Sequence, residues 1–246
     1  QGISHIKVYK KPRVALFASG NELKMHFEQV TAYQLYNTNT PTLLSRAKEL
    51  GCEVEFIGTA VDTLEDIHAH IQSALDCDII ITSGGVSVGD ADFTKEAFGA
   101  FGYDILFDKV EIKPGKPTTV GKIGDKMVLN LPGNPLAAAL NFELFGRAII
   151  YAMSGAKAKF INPVTAKMKN DVKLRARRRT VIPGYFDGEY FTVCEQYSPG
   201  MISPLAQANA FIITDENCAE IPQETEVKTI STKFSFCAKE FQSLSS

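Results

Sequence analysis

The stretch CDIIITSGGVSVGDAD, residues 77–92, decides the fold. Its first half carries a short continuous apolar run, Ile79 to Ile81, the pattern of a strand buried on both faces. Its second half packs three glycines, two serines and two aspartates into the ten residues 83–92. A buried strand that opens into so little bulk and so many polar groups suits an open α/β sheet, where ligands bind at the carboxyl ends of strands. Glycines let backbone N–H groups approach a ligand closely, and a following helix N-terminus favours anions. The loop is therefore expected to cradle a phosphate or another oxyanion and to lead into a helix over 93–102. A plain tight turn is the alternative reading of this stretch alone.

The chain on either side repeats the alternation. RVALFAS (13–19) and EVEFIGTAV (53–61) read as further strands, and TPTLLSRAKEL (40–50) as a helix closed by Gly51. TLEDIHAHIQSAL (63–75) sets Leu64, Ile67, Ile71 and Leu75 on one helical face, with Asp62 as N-cap and Glu65 completing a capping box. PLAAALNFELFGRAIIYAMSG (135–155) is a helix capped by Asn134, opened by Pro135 and ended by Gly155. Strand and helix in alternation predict a three-layer α/β/α domain on a mostly parallel sheet, over residues 1–158. Beyond that the sequence turns β-rich, as in NAFIITDE (209–216), and FDGEY (186–190) predicts a type I′ hairpin. Residues 159–246 are expected to form a small all-β domain.

Composition narrows the function. The chain has 246 residues, 45% hydrophobic and 22% charged, with a net charge of −2. A packed core is expected, and nothing global points to nucleic acid or an anionic membrane. No apolar run of about 20 residues is apparent, as a membrane span would need, and no signal peptide is visible. The five cysteines are scattered and lack CxxC spacing, which fits buried thiols in a reducing cytoplasm rather than a disulfide framework or zinc site. His5, His26, His68 and His70 show no metal-ligand spacing. The basic run RARRR (175–179) reads as a solvated strand edge. The chain opens at Gln1 on an extended segment, which reads as a piece of a longer protein.

Two more segments share the logic of the opening loop. KPGKP (113–117) sets Lys113 and Lys116 around a rigid turn, and lysine suits oxyanion contact. LPGNP (131–135) is a second glycine-bearing junction at a helix start. Taken singly these also read as a solvated loop and a simple helix cap. Together they suggest one anion site. Acids beside it, Glu22, Asp90 and Asp92, are costly unless a cation intervenes, and Mg²⁺ held by one or two carboxylates plus substrate phosphates resolves that. An exposed loop acid at Glu22 and an N-cap at Asp92 are the bland alternatives.

With RVALFASGNEL, TSGGVSVGDADFTK, KPGKP and LPGNP in order, the chain resembles the molybdopterin molybdenumtransferases, the MoeA and gephyrin E-domain family. The resemblance covers essentially the whole chain. It implies a molybdopterin-binding α/β domain followed by a small β-barrel, and a cytoplasmic transferase of molybdenum cofactor biosynthesis. The implied reaction inserts molybdenum from molybdate into adenylylated molybdopterin, with Mg²⁺, and releases AMP. By resemblance Ser83, Gly84, Gly85, Ser87 and Gly89 line the pterin-phosphate and molybdate pocket. Lys113, Lys116 and Pro117 contact molybdate or phosphate. Pro132, Gly133, Asn134 and Pro135 form the facing loop, and Glu22 and Asp92 are the functional acids that handle Mg²⁺. The family also implies a homodimer whose additional N-terminal domains help close the partner's cleft. Competing readings are a molybdopterin adenylyltransferase on the same α/β fold and a non-catalytic molybdopterin-binding scaffold. The chain departs from the pattern at Asn21, where an aspartate is usual, and at Ala137, where a serine is common. The segment KMHFEQVTAYQLYN (24–37) replaces the family's glycine-rich stretch.

Overall fold

A computed structural model describes residues 1–85, 96–174 and 178–232. They divide into two compact units. Unit 1 is Gln1–Val110 with Pro117–Phe160, and unit 2 is Glu111–Lys116 with the chain from Ile161 onward.

Unit 1 is built on a six-stranded sheet. In chain order its strands are β1 (Arg13–Ser19), β4 (Glu53–Ala60), β5 (Ile79–Ser83), β6 (Tyr103–Asp108), β8 (Thr119–Ile123) and β9 (Lys126–Leu131). The spatial order is β4-β1-β5-β9-β8-β6. The first four run parallel, and β8 and β6 join antiparallel at one edge. Strand side chains alternate between faces. Val14, Leu16, Ile79, Ile81 and Leu129 pack on one face against α1 (Asn39–Glu49) and α3 (Pro135–Met153). Ala15, Phe17, Ile80 and Val128 pack on the other against α2 (Leu64–Ala74) and the helical residues 96–99. The chain after β5 thus takes one face while α1 and α3, after β1 and β9, take the opposite one. In open sheets such a reversal marks where ligands bind, here the carboxyl ends of β1, β5 and β9. The start of the helix expected at 93 lies outside the described residues.

Three local expectations change. The N-cap of α2 is Thr63, whose hydroxyl accepts the Asp66 N–H at 3.3 Å. Asp62 is drawn away by tertiary partners, and the reciprocal bond of a capping box is missing, since the Asp66 carboxylate accepts the Val61 N–H at 2.7 Å instead. In α3, Asn134 occupies the cap position but its side chain makes no cap hydrogen bond, and residues Phe142–Gly146 form a π turn inside the helix. This helix is also long and apolar enough to cross a membrane, a run the sequence did not reveal. Over half of its most apolar window is buried against the sheet and α1, as in a core helix.

Unit 2 is a closed five-stranded barrel, matching the expected all-β domain apart from one short helix, α4 (Ser203–Gln207). The order β13-β10-β16-β14-β12 is closed by pairing of β12 with β13. These are β10 (Val164–Met168), β12 (Arg179–Phe186), β13 (Tyr190–Val193), β14 (Ala210–Ile213) and β16 (Glu226–Ser231). Met168, Ile182, Phe186, Phe191, Ala210 and Ile212 fill it. A short strand from the earlier chain, β7 (Ile112–Lys113), pairs parallel with β12. The β12–β13 turn is not type I′, which needs positive φ at both central residues. Only Gly188 has it, at +112°, while the Asp187 carboxylate accepts the N–H groups of Glu189 and Tyr190. Of the basic run, residues 175–177 lie outside the described residues.

Candidate functional site

The three parallel strand ends of unit 1 meet over glycine. Gly84, just past β5, has φ +95°, and a Cβ there would stand 2.2 Å from the Ser19 carbonyl oxygen of β1. Only a residue without a side chain fits between those strands. The Gly84 N–H donates to the Leu131 oxygen of β9 at 3.2 Å, and a Cβ on Gly133 would lie 3.6 Å from the Gly84 Cα. The Gly84–Gly85 turn and the Pro132–Pro135 turn therefore lie side by side.

Asn39, the first residue of α1, fastens the contact. Its Nδ2 donates to Ser83 Oγ and to the Gly133 carbonyl, both at 2.7 Å. Asn37 fixes the start of α1 by accepting the Thr40 N–H at 3.1 Å and donating to Thr40 Oγ1 at 2.9 Å. Asn39 is not legible in the sequence as a tether, because its partners are 44 and 94 residues away.

At the end of β1 the acids separate. Asp62 accepts the Ser19 hydroxyl at 2.8 Å and the Asn21 N–H at 3.4 Å, while its own N–H donates to Asn21 Oδ1 at 3.3 Å. Asn21, the departure from the family's aspartate, thus pairs with Asp62 as an uncharged neighbour. Glu22 is exposed and folds its carboxylate over Gly20, where an added Cβ would meet Glu22 Oε2 at 2.7 Å. An open carboxylate of this kind fits a single contact to Mg²⁺ shared with a ligand phosphate. Among the described residues no cluster of three or more His, Cys, Asp or Glu is placed to hold a metal. Ser87, Gly89, Asp90 and Asp92 lie outside the described residues.

The start of α3 faces the same edge. Asn134 is exposed and extended, Pro135 has no N–H, and the first N–H groups of the helix lack a side-chain cap. Such a terminus attracts anions. Ala137, the other departure, is buried inside the first turn. Behind the edge, Thr82 donates to Asn130 Oδ1 at 2.8 Å and Asn130 donates to the Tyr103 hydroxyl at 3.2 Å. Burial pushes the Tyr103 phenol well above its ordinary pKa, so it stays neutral.

Farther back, α1 and α3 are joined by charge. Arg46 Nε meets Glu143 Oε1 at 2.6 Å, and Arg147 meets Glu143 Oε2 at 3.3 Å. Burial opposes the Arg46 charge, but Glu143 and then Glu49 outweigh it and raise the guanidinium above its usual value. Glu143 stands in the π turn.

Lys113 and Lys116 belong to unit 2 and are exposed. Lys113 is in β7, and Lys116 makes one surface contact, 3.6 Å to Glu111. Pro117 begins the return to unit 1.

Comparison with known proteins fits this geometry. Residues 15–152 match the family described as probable molybdopterin binding domain, and residues 165–231 match the MoeA C-terminal region, domain IV. The chain is 32% identical over 227 residues to the molybdopterin molybdenumtransferase of Staphylococcus aureus (strain COL), covering 86% of this chain and 52% of that protein. The same figures hold for the molybdopterin molybdenumtransferase of Staphylococcus epidermidis (strain ATCC 12228 / FDA PCI 1200). The chain thus spans about half the length of the curated relatives it matches. Among solved structures, a molybdopterin biosynthesis MoeA protein from Pyrococcus horikosii superposes with TM-score 0.79 at 28% identity, over 91% of this chain and 55% of that one. A sheet whose helices switch faces at Gly84, a barrel formed by the later chain and matches to both regions lead to one statement: the chain belongs to the molybdopterin-binding domain family, followed by the MoeA C-terminal region.

Proposed function

We propose that this chain binds molybdopterin at the carboxyl edge of the unit 1 sheet and serves a molybdopterin molybdenumtransferase of molybdenum cofactor biosynthesis. The observation that carries the reading is the meeting of the Gly84 and Gly133 turns beside the uncapped start of α3. That edge offers backbone N–H groups and a positive helix end to an anion, and the pterin phosphate is the anion the family supplies.

In this reading Ser83, Gly84, Gly85, Ser87 and Gly89 hold the pterin phosphate. The Pro132–Pro135 turn faces them. Lys113, Lys116 and Pro117 hold molybdate or phosphate, lysine acting as a compact cation. The substrate is adenylylated molybdopterin, whose phosphoanhydride is cleaved as molybdenum is inserted and AMP leaves. Glu22 and Asp92 contact Mg²⁺, which when bound offsets the charge of the phosphates. The residues themselves orient the anions and exclude water from the buried side, where Ser83 and Thr82 are closed off. The setting is cytoplasmic and the working state a homodimer, with substrate binding in 1–158 and the barrel in 159–246.

The test is molybdopterin binding by fluorescence titration, joined to AMP release from adenylylated molybdopterin with molybdate and Mg²⁺. Saturable binding supports the binding role. AMP release that Asp92→Ala abolishes supports the transfer role. Absence of both overturns the proposal.

A further inference from the structure

We propose that Asn39 is a positioning residue that holds the Ser83–Gly85 and Pro132–Pro135 turns at the separation the ligand requires; this rests on the molybdopterin-binding reading above. The primary amide has two N–H groups, and both are spent at 2.7 Å, one on each turn. The Gly133 carbonyl can only accept, so the nitrogen end of the amide must face it. The Ser83 hydroxyl therefore accepts from Asn39 and directs its own proton elsewhere.

Three further observations isolate the role. Asn39 is buried, with 9% of its surface exposed, so water cannot replace these bonds cheaply. It begins an 11-residue helix whose start is pinned by Asn37, so the amide is not free to drift. Gly84 and Gly133 are close, since a Cβ added to Gly133 would lie 3.6 Å from the Gly84 Cα, and the Gly84 N–H donates to the Leu131 oxygen at the strand end. Without Asn39 the Pro132–Pro135 turn loses its side-chain tether to β5. The ligand is then met by two turns that move independently, which lowers affinity while the sheet beneath stays folded.

The experiment titrates molybdopterin against this chain and its Asn39→Asp and Asn39→Leu variants, with thermal unfolding as a control. Asp keeps the shape of Asn and loses the donors, and Leu fills the site without a polar group. Positioning by donation predicts that both bind about tenfold or more weakly than the parent. A space-filling role predicts that both bind within about threefold of it, and that result overturns the inference. In a Ser83→Ala background, Asn39→Asp should cost less than in the parent, because part of the tether is already gone. Equal costs in the two backgrounds overturn the action through Ser83. If Asn39→Asp does not fold, Asn39→Leu alone tests a filled site without donors, and affinity within about threefold of the parent overturns the role. A parent chain that binds no molybdopterin overturns the functional reading and Asn39's role with it. A parent that binds while every Asn39 variant binds equally overturns the role alone.

Discussion

The two loops proposed to meet anions are built by opposite means. The Gly84–Gly133 crossing in unit 1 is made of backbone. Its glycines leave no room for a Cβ on Gly84, and its tether is a buried amide. The KPGKP turn in unit 2 is made of side chains. Lys113 and Lys116 stand in solvent, and Lys116 has a weak surface partner in Glu111. The first kind of site is inseparable from the fold that carries it. The second can be changed in charge while its unit stays folded. Function and stability should therefore fail together at Gly84 and separately at the two lysines.

The largest break in that contrast should come from Gly84→Ala. The new Cβ meets the Ser19 backbone at a positive φ, so unit 1 should lose about 3–5 kcal/mol, read from the denaturant midpoint. A loss below about 1 kcal/mol would mean that the strand ends part easily. Next comes Glu143→Ala, which removes the carboxylate that Arg46 and Arg147 both face, at about 3 kcal/mol. An unchanged midpoint would show that the α1–α3 contact is held by its apolar residues alone. Gly133→Ala sharpens the comparison within one loop. Its Cβ would sit at an ordinary 3.6 Å from Gly84, so stability should fall by less than about 1 kcal/mol while molybdopterin affinity falls. Smallest in stability is Lys116→Ala, within about 0.5 kcal/mol because its ion pair is exposed. Its effect should appear in the molybdate concentration needed for half-maximal AMP release, and an unchanged value would remove Lys116 from the site.

The fold was legible where burial follows a period. Three of the four parallel strands, β1, β4 and β5, and the apolar face of α2 lie where the apolar runs put them, because both faces of the sheet are covered. What escaped were choices made by distant partners. Asp62 was read as a helix cap because local spacing allows it, yet the Ser19 hydroxyl and Asn21 N–H claim its carboxylate. Asn39 was unremarked because its partners come from strands far along the chain. The π turn at Phe142–Gly146 leaves no mark in an apolar pattern that reads as continuous helix. The glycines of both turns were legible as loop residues, but the close approach to Ser19 that requires glycine at position 84 was not.

The excursion of Glu111–Lys116 into unit 2 sets an order of events on the ribosome. Strand β7 emerges early, but its register partners Arg179 and Thr180 in β12 follow only after α3 and the first barrel strand. That gap is roughly 70 residues, or several seconds at a synthesis rate of about 5–20 residues per second. Throughout that interval a lysine-bearing hexapeptide waits between halves of the growing unit 1 sheet, with its edge hydrogen bonds unmade. The charges that suit Lys113 and Lys116 to an anion also suit an unpaired edge, since lysine discourages other strands from adding to it.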